Sequence, residues 1–138
     1  AVGPQHSMFK TEITPRVSET DAVGHINNNF VPVWLEAGRR KVFRIFSPNL
    51  DFDDWPIALV NVNINYTAQI YFHEDVIVRT WVDKIGTKSF TLYEEIWQSE
   101  NRCADGTATY VYFNYGTQKS EPLPAATRLA LQEHLKYE

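Results

Sequence analysis

The stretch Glu19-Thr20-Asp21-Ala22-Val23-Gly24-His25-Ile26-Asn27-Asn28-Asn29 leads directly into Phe30-Val31-Pro32-Val33-Trp34-Leu35-Glu36-Ala37-Gly38-Arg39-Arg40-Lys41-Val42-Phe43-Arg44-Ile45-Phe46, and the reading of this second half decides the fold. Val31, Leu35, Gly38, Val42 and Ile45 recur at the four-three interval of one helical face. Phe30, Trp34, Ala37, Phe43 and Phe46 spread the apolar surface well beyond that stripe. The spacing predicts one long helix from about Asn29 to Phe46. Asn27, Asn28 and Asn29 offer side-chain oxygens to its first N–H groups, and Ser47-Pro48-Asn49 stops it, because the residue before a proline disfavours helix. Pro32 sets the start close to Asn28 or Asn29, since a proline in the first turn removes no intrahelical hydrogen bond. A helix this apolar must bury most of its sides, so Gly38 is expected to face a strand and sheet to curl around the helix.

The flanking sequence supplies that sheet. Phe9 to Val17 alternates apolar and polar residues, as does Ala58 to Tyr66, where Val60, Val62, Ile64 and Tyr66 interleave with Asn61, Asn63 and Asn65. Further strands are predicted at Val76 to Ile85, Phe90 to Gln98 and Arg102 to Tyr115, with turns at Gly86 and Ser99-Glu100-Asn101. Gly106, inside the last of these, marks a bulge or a close backbone approach. A short helix, about Ala125 to Lys136, is expected to pack outside through Leu129, Leu131 and Leu135. Strand, loop, long helix and a run of antiparallel strands make an α+β layout.

With 138 residues the chain is read as a single domain over 9–138. Residues 1–8 are read as an N-terminal extension, native or left over from expression, without the charged and apolar regions of a secretory signal. No apolar run approaches the roughly 20 residues of a membrane span. A net charge of -4 speaks against a broad nucleic-acid surface, which needs clustered Lys and Arg. The single cysteine, Cys103, permits no intrachain disulfide and no cysteine-rich zinc site, in keeping with a reducing cytoplasm.

Chemistry concentrates just before the helix. Unpaired N–H groups at a helix start carry positive partial charge and can donate to an oxygen that gains negative charge in a reaction. An aspartate beside them is suited to act as nucleophile or general base. Asp and Asn at such a place also serve as ordinary caps, and the residues alone leave both roles open for Asp21. His25 likewise divides between structural hydrogen bonding and a part in binding water or carbonyl. Cys103 has no neighbouring histidine to activate it, and His73, Glu74 and Asp75, adjacent on a turn, point apart, so no metal site is expected.

Glu19-Thr-Asp21 followed by Gly24-His25-Ile26-Asn27-Asn28 resembles the 4-hydroxybenzoyl-CoA thioesterase-like branch of the hotdog superfamily. The likeness continues through Glu36-Ala37-Gly38-Arg39, Asn65-Tyr66, Asp75, Ile85-Gly86 and Ser89, and so spans about Phe9 to Pro124. It implies a hotdog fold, a curved antiparallel sheet wrapped around a central helix, and cofactor-free hydrolysis of acyl-CoA or acyl-carrier thioesters, CoA entering only as part of the substrate. Asp21 takes the catalytic role by that resemblance, with His25 and Asn27 beside it. Amides near Gly24, His25 and Ile26 are expected to hold the carbonyl oxygen, with Asn28 next to them. Phe30 and Trp34 are expected to line the acyl pocket. Lys88 and Ser89 are candidates for the pantetheine or phosphates of CoA, with Arg39 and Arg40 as alternatives at its nucleotide end. Glu19 stands where Asp is frequent, and Phe30-Val31-Pro32 where a tyrosine is common. A single hotdog unit leaves a strand edge open, so a homodimer or homotetramer is expected. The rival readings are a hotdog dehydratase or hydratase, whose histidine-acid pairing fits this motif order poorly, and a non-catalytic acyl-CoA binding protein.

Overall fold

The computed structural model describes residues 8–136. The expected extension therefore lies outside the described residues, apart from Met8. The strands are β1 (Phe9–Ile13), β2 (Ile57–Tyr66), β3 (Val76–Ile85), β4 (Ser89–Gln98), β5 (Asn101–Asn114) and the short β6 (Lys119–Ser120). The helices are α1 (Val31–Gly38), α2 (Arg40–Phe46) and α3 (Ala125–Gln132). One antiparallel sheet runs in the order β1-β3-β4-β5-β2, with β6 added to β5. Register shifts between Val82 and Lys84, Ile96 and Trp97, and Leu59 and Asn61 bend the strands. The sheet curls against α1 and α2, the α+β hotdog arrangement expected. No helix among the described residues is long and apolar enough to cross a membrane.

The predicted long helix is two helices in series. Asn27 caps a 3-10 turn at Asn28–Phe30 by accepting the Asn29 N–H at 2.9 Å, and α1 then begins at Val31 with Pro32 in its first turn. The break falls at Arg39. Its N–H bonds to the Glu36 carbonyl at 2.9 Å, one residue short of α-helical spacing, while the Thr80 hydroxyl donates to the Gly38 carbonyl at 3.2 Å. Gly38 does face a strand: a Cβ there would stand 2.5 Å from Val78 Cγ1, so only glycine lets the helix lie this close to β3.

The break coincides with a polar layer through the core. Thr80 on β3 pairs with Glu94 on β4, Glu94 with Gly106 on β5, and Gly106 with Ile64 on β2. The buried Arg39 guanidinium reaches into this row, donating to Glu94 Oε1 from Nε at 3.0 Å and Nη2 at 2.8 Å, and to the Tyr110 hydroxyl from Nη1 at 3.1 Å. Burial pushes the Glu94 carboxyl up, against the opposing pull of Arg39. On one side of the layer Val31, Trp34, Leu35, Val78 and Ile96 form a cluster; on the other lie Val42, Val82, Phe90, Leu92 and Leu131. Gly106 is the close approach anticipated, since a Cβ would run into the Asn63 carbonyl.

Three expectations are corrected at the periphery. The first strand stops at Ile13, leaving Val17 73% exposed. The sheet does not close over the helix on its β2 side: Val31, Leu35 and Val42 are fully buried, but Val33, Glu36, Ala37 and Arg40 stay exposed. Helix α3 buries Leu131, whereas Leu129 faces solvent. Beyond Gln132 the chain extends along β3 instead of remaining helical, with Val82 bonded to His134 and Lys136 at 2.8 Å each. That segment covers the part of the β3 edge that β1 does not reach.

Candidate active site

Residues Glu19 to Asn27 form a tight hairpin. The Asp21 N–H bonds to the His25 carbonyl at 2.8 Å, the Asn27 N–H to the Glu19 carbonyl at 2.9 Å, and Thr20 pairs with Ile26. Gly24 makes the turn at φ +84°, in the left-handed region where glycine carries no steric cost. Inside the turn Asp21 Oδ1 accepts from the Val23 N–H at 2.9 Å and the His25 N–H at 3.2 Å, while Oδ2 makes no hydrogen bond among the described residues. The carboxylate is therefore held by one oxygen and presents the other to solvent.

Two buried side chains fix this hairpin and the loop beside it. Glu19 accepts the Arg16 N–H at 2.7 Å on one oxygen, and the Trp34 indole N–H at 2.9 Å with the Arg16 guanidinium at 3.1 Å on the other. Burial alone would raise the Glu19 carboxyl, but the donors from Trp34 and Arg16 outweigh it and hold it below its ordinary value. Across the hairpin lies the loop after β2. There the Ile26 N–H donates to the Ile70 carbonyl at 2.8 Å, and the His25 ring stands edge-on to Tyr71 at 5.1 Å. Gln98 pins that loop, accepting from the Tyr71 N–H at 2.9 Å and donating to the Tyr71 and Glu74 carbonyls at 2.7 and 3.0 Å.

The structure brings Asp21, His25, Ile26, Asn27 and Asn28 around one open cavity of about 300 Å³, joined by Gln69. It redistributes the expected carbonyl donors. The His25 and Ile26 N–H groups are consumed by Asp21 and Ile70, because the hairpin and its neighbouring loop pair them. Gly24 and Asn28 keep N–H groups with no acceptor among the described residues, and that of Asn28 heads the helical turn.

Other predicted site residues lie elsewhere. Trp34 is turned inward onto Glu19, and Phe30 packs against the first core cluster, so neither borders the large apolar groove. That groove, about 780 Å³, follows the open helix face at Val33 and Ala37 and is walled by Phe52, Trp55, Leu59 and Tyr110. Arg39 is committed to Glu94. Lys88 and Ser89 sit at the β3–β4 turn, the far end of β3 from Ile70 to Glu74. The ten residues of β3 separate them from Asp21 by roughly 30 Å within one chain. No cluster of three or more His, Cys, Asp or Glu groups able to hold a metal occurs among the described residues.

Sequence reasoning missed Gln69, Gln98 and the clamp role of Glu19. A signal existed for Gln98: it continues the inward phase of Phe90, Leu92 and Ile96, where a polar residue must find buried partners. Gln69 lies in an irregular loop and carried no such signal.

The profile of the thioesterase-like superfamily matches residues 15–131, a span that includes the hairpin, both central helices and the whole sheet beyond β1. The chain belongs to the thioesterase-like superfamily. Among solved thioesterase-like structures, a predicted thioesterase from Bacillus stearothermophilus superposes with a TM-score of 0.92 at 48% identity, covering 95% of this chain and 98% of that one. A Thermus thermophilus thioesterase solved with coenzyme A and Zn gives 0.79 at 21% identity, over 89% and 90% of the two chains, a likeness of fold. A Bacillus subtilis (strain 168) protein with the provisional name acyl-CoA thioesterase YneP is 27% identical over 77 residues, 54% of this chain. The match spans 56% of that relative's length.

Proposed function

We propose that this protein hydrolyses an acyl-CoA thioester to a carboxylic acid and free CoA, with Asp21 as general base or nucleophile. The observation that carries the reading is the pairing, in one cavity, of a carboxylate with a free oxygen and an unpaired amide at a helical start. In the general-base route Asp21 Oδ2 takes a proton from water as the water oxygen bonds to the thioester carbon. The resulting oxyanion is stabilised by the Asn28 N–H and the positive end of the helical turn. Collapse breaks the carbon–sulfur bond, and the thiolate leaves with the proton that Asp21 holds. In the nucleophilic route Oδ2 itself attacks, the thiolate leaves, and water then cleaves the mixed anhydride. His25, Asn27 and Gln69 supply polar contacts around the reacting carbonyl. The acyl group extends into the groove along Val33 and Ala37, which starts one turn beyond the helical start. The chemistry asks for no cofactor: water and the chain's own groups balance it.

The active form in this reading is a homodimer, or a homotetramer built from such dimers, working in the cytoplasm. Strand β2 is a sheet edge with Leu59, Val60, Val62 and Tyr66 all exposed, and the apolar groove opens beside it. Pairing with a second β2 satisfies the edge and roofs the groove.

The test is free-thiol release from a panel of acyl-CoA esters varying in chain length and aromaticity, run beside the same acyl groups on acyl-carrier protein. Turnover of CoA esters above the uncatalysed rate is expected. A panel in which no ester is hydrolysed defeats the reading, and hydrolysis confined to carrier-bound substrates moves the substrate class.

A further inference from the structure

Glu19 is 2% exposed, yet three N–H donors converge on its carboxylate: the backbone and guanidinium of Arg16 and the indole of Trp34. Its own carbonyl takes the Asn27 N–H. Through these contacts one residue joins the segment leaving β1, both arms of the Asp21 hairpin, and the first turn of α1. Trp34 is fixed to the helix, and Asn28 heads the turn that leads into it, so the bond from Trp34 to Glu19 sets where the hairpin sits relative to that N–H. Resting on the thioester-hydrolase reading, we propose that Glu19 is a positioning residue, whose buried carboxylate aligns Asp21 with the Asn28 N–H around one thioester carbonyl.

The geometry asks for a carboxylate rather than an amide. A carboxylate only accepts, on two oxygens, and here each oxygen meets N–H donors alone. A glutamine has one accepting oxygen, so its NH₂ would face either the Arg16 N–H or the Trp34 indole, donor against donor. The Arg16 side chain is 74% exposed, so its charge is largely screened, and the clamp works chiefly through the directed hydrogen bonds.

The variants are Glu19→Gln, Trp34→Phe and Asp21→Asn, alone and with Glu19→Gln added to Asp21→Asn. Each is followed by kcat and KM for thiol release, thermal midpoint, and hydrogen exchange of the amides at His25, Ile26 and Asn27. Displacing reacting groups by about 1 Å costs on the order of 100-fold. Glu19→Gln is therefore expected to lower kcat tenfold or more, by order of magnitude, with KM within about twofold. Trp34→Phe should lower kcat less and in the same pattern, and Glu19→Gln should cost little more when Asp21→Asn is already present. Exchange at the hairpin amides should quicken in Glu19→Gln. A lowered midpoint with kcat unchanged makes Glu19 a stability element only and overturns the proposal, as does full additivity with Asp21→Asn. If Glu19→Gln does not fold, Trp34→Phe decides: unchanged kcat, or a loss confined to KM, refutes the positioning role. A wild type inactive on every ester defeats the hydrolase reading instead, while the exchange data still report whether Glu19 holds the hairpin.

Discussion

Replacing Asp21 by asparagine separates the proposed chemistry from architecture, because one carboxylate oxygen is held inside the turn and the other makes no hydrogen bond among the described residues. Oδ1 accepts from the Val23 and His25 N–H groups, and the carboxamide oxygen of asparagine can accept both. The turn therefore keeps its bonds, and stability should stay within about 0.5 kcal/mol of wild type, the usual range for a surface change. The charge on Oδ2 is lost with no such replacement. General-base contributions of roughly 10²–10⁴ convert, at about 1.4 kcal/mol per decade, to about 3–6 kcal/mol of barrier. Asp21→Ala removes the same charge and both backbone bonds, adding a stability loss of about 1 kcal/mol, or roughly 4 °C in midpoint for a domain of this size. The assay is kcat/KM for thiol release on the best ester of the panel, with the midpoint by calorimetry. An asparagine variant retaining more than about half of the wild-type rate, with its fold intact, removes Asp21 from the mechanism.

The polar layer yields a second prediction. Glu94→Leu leaves the Arg39 charge buried without its partner and should cost about 3–5 kcal/mol in urea unfolding, whereas Glu94→Leu with Arg39→Met should recover most of it; a single variant within about 1 kcal/mol of wild type contradicts the pairing. Light scattering should give about twice the 16.0 kDa chain mass or a multiple of it. Val62→Asp, which places a charge on the β2 edge, should shift that mass toward the monomer and lower activity with it. A fully active protein of single-chain mass refutes the assembly. Because the Glu19 carboxyl is held below its usual 4.5, its contribution is fully present above that pH and is lost as pH falls through the lowered value. Thermal midpoints followed downward from about pH 5 should therefore fall more steeply for wild type than for Glu19→Gln, and parallel curves would show that Glu19 is not ionised in the fold.

The run from Glu19 to Phe46 was enough to foresee a polar loop leading into a buried helix, because period and capping are local properties. Val31, Leu35 and Val42 repeat at helical spacing wherever the helix ends up, and Gly38 could be read as a close approach to a strand. Alternation in Ala58 to Tyr66 and the turn signals beyond it located the strands from β2 to β5, although Val60, Val62 and Tyr66 proved to lie exposed on an edge. Periodicity marks the apolar positions of an element and does not say whether a neighbour covers them.

Tertiary structure decided the rest. Whether the helix is continuous depended on Thr80 and Glu94, more than 40 residues from Arg39 in sequence, meeting it across the core. Trp34, one more aromatic in a helical pattern, was drawn to Glu19 because an indole N–H buried in the core must find an acceptor. Which amides stay free was not readable from the motif, since Ile70 and the Asp21 carboxylate claim two of the expected three only once loop and hairpin are packed. Sequence determined which groups are present near the helical start. Folding determined which hydrogen-bond donors were already spent, and so which remain for a substrate.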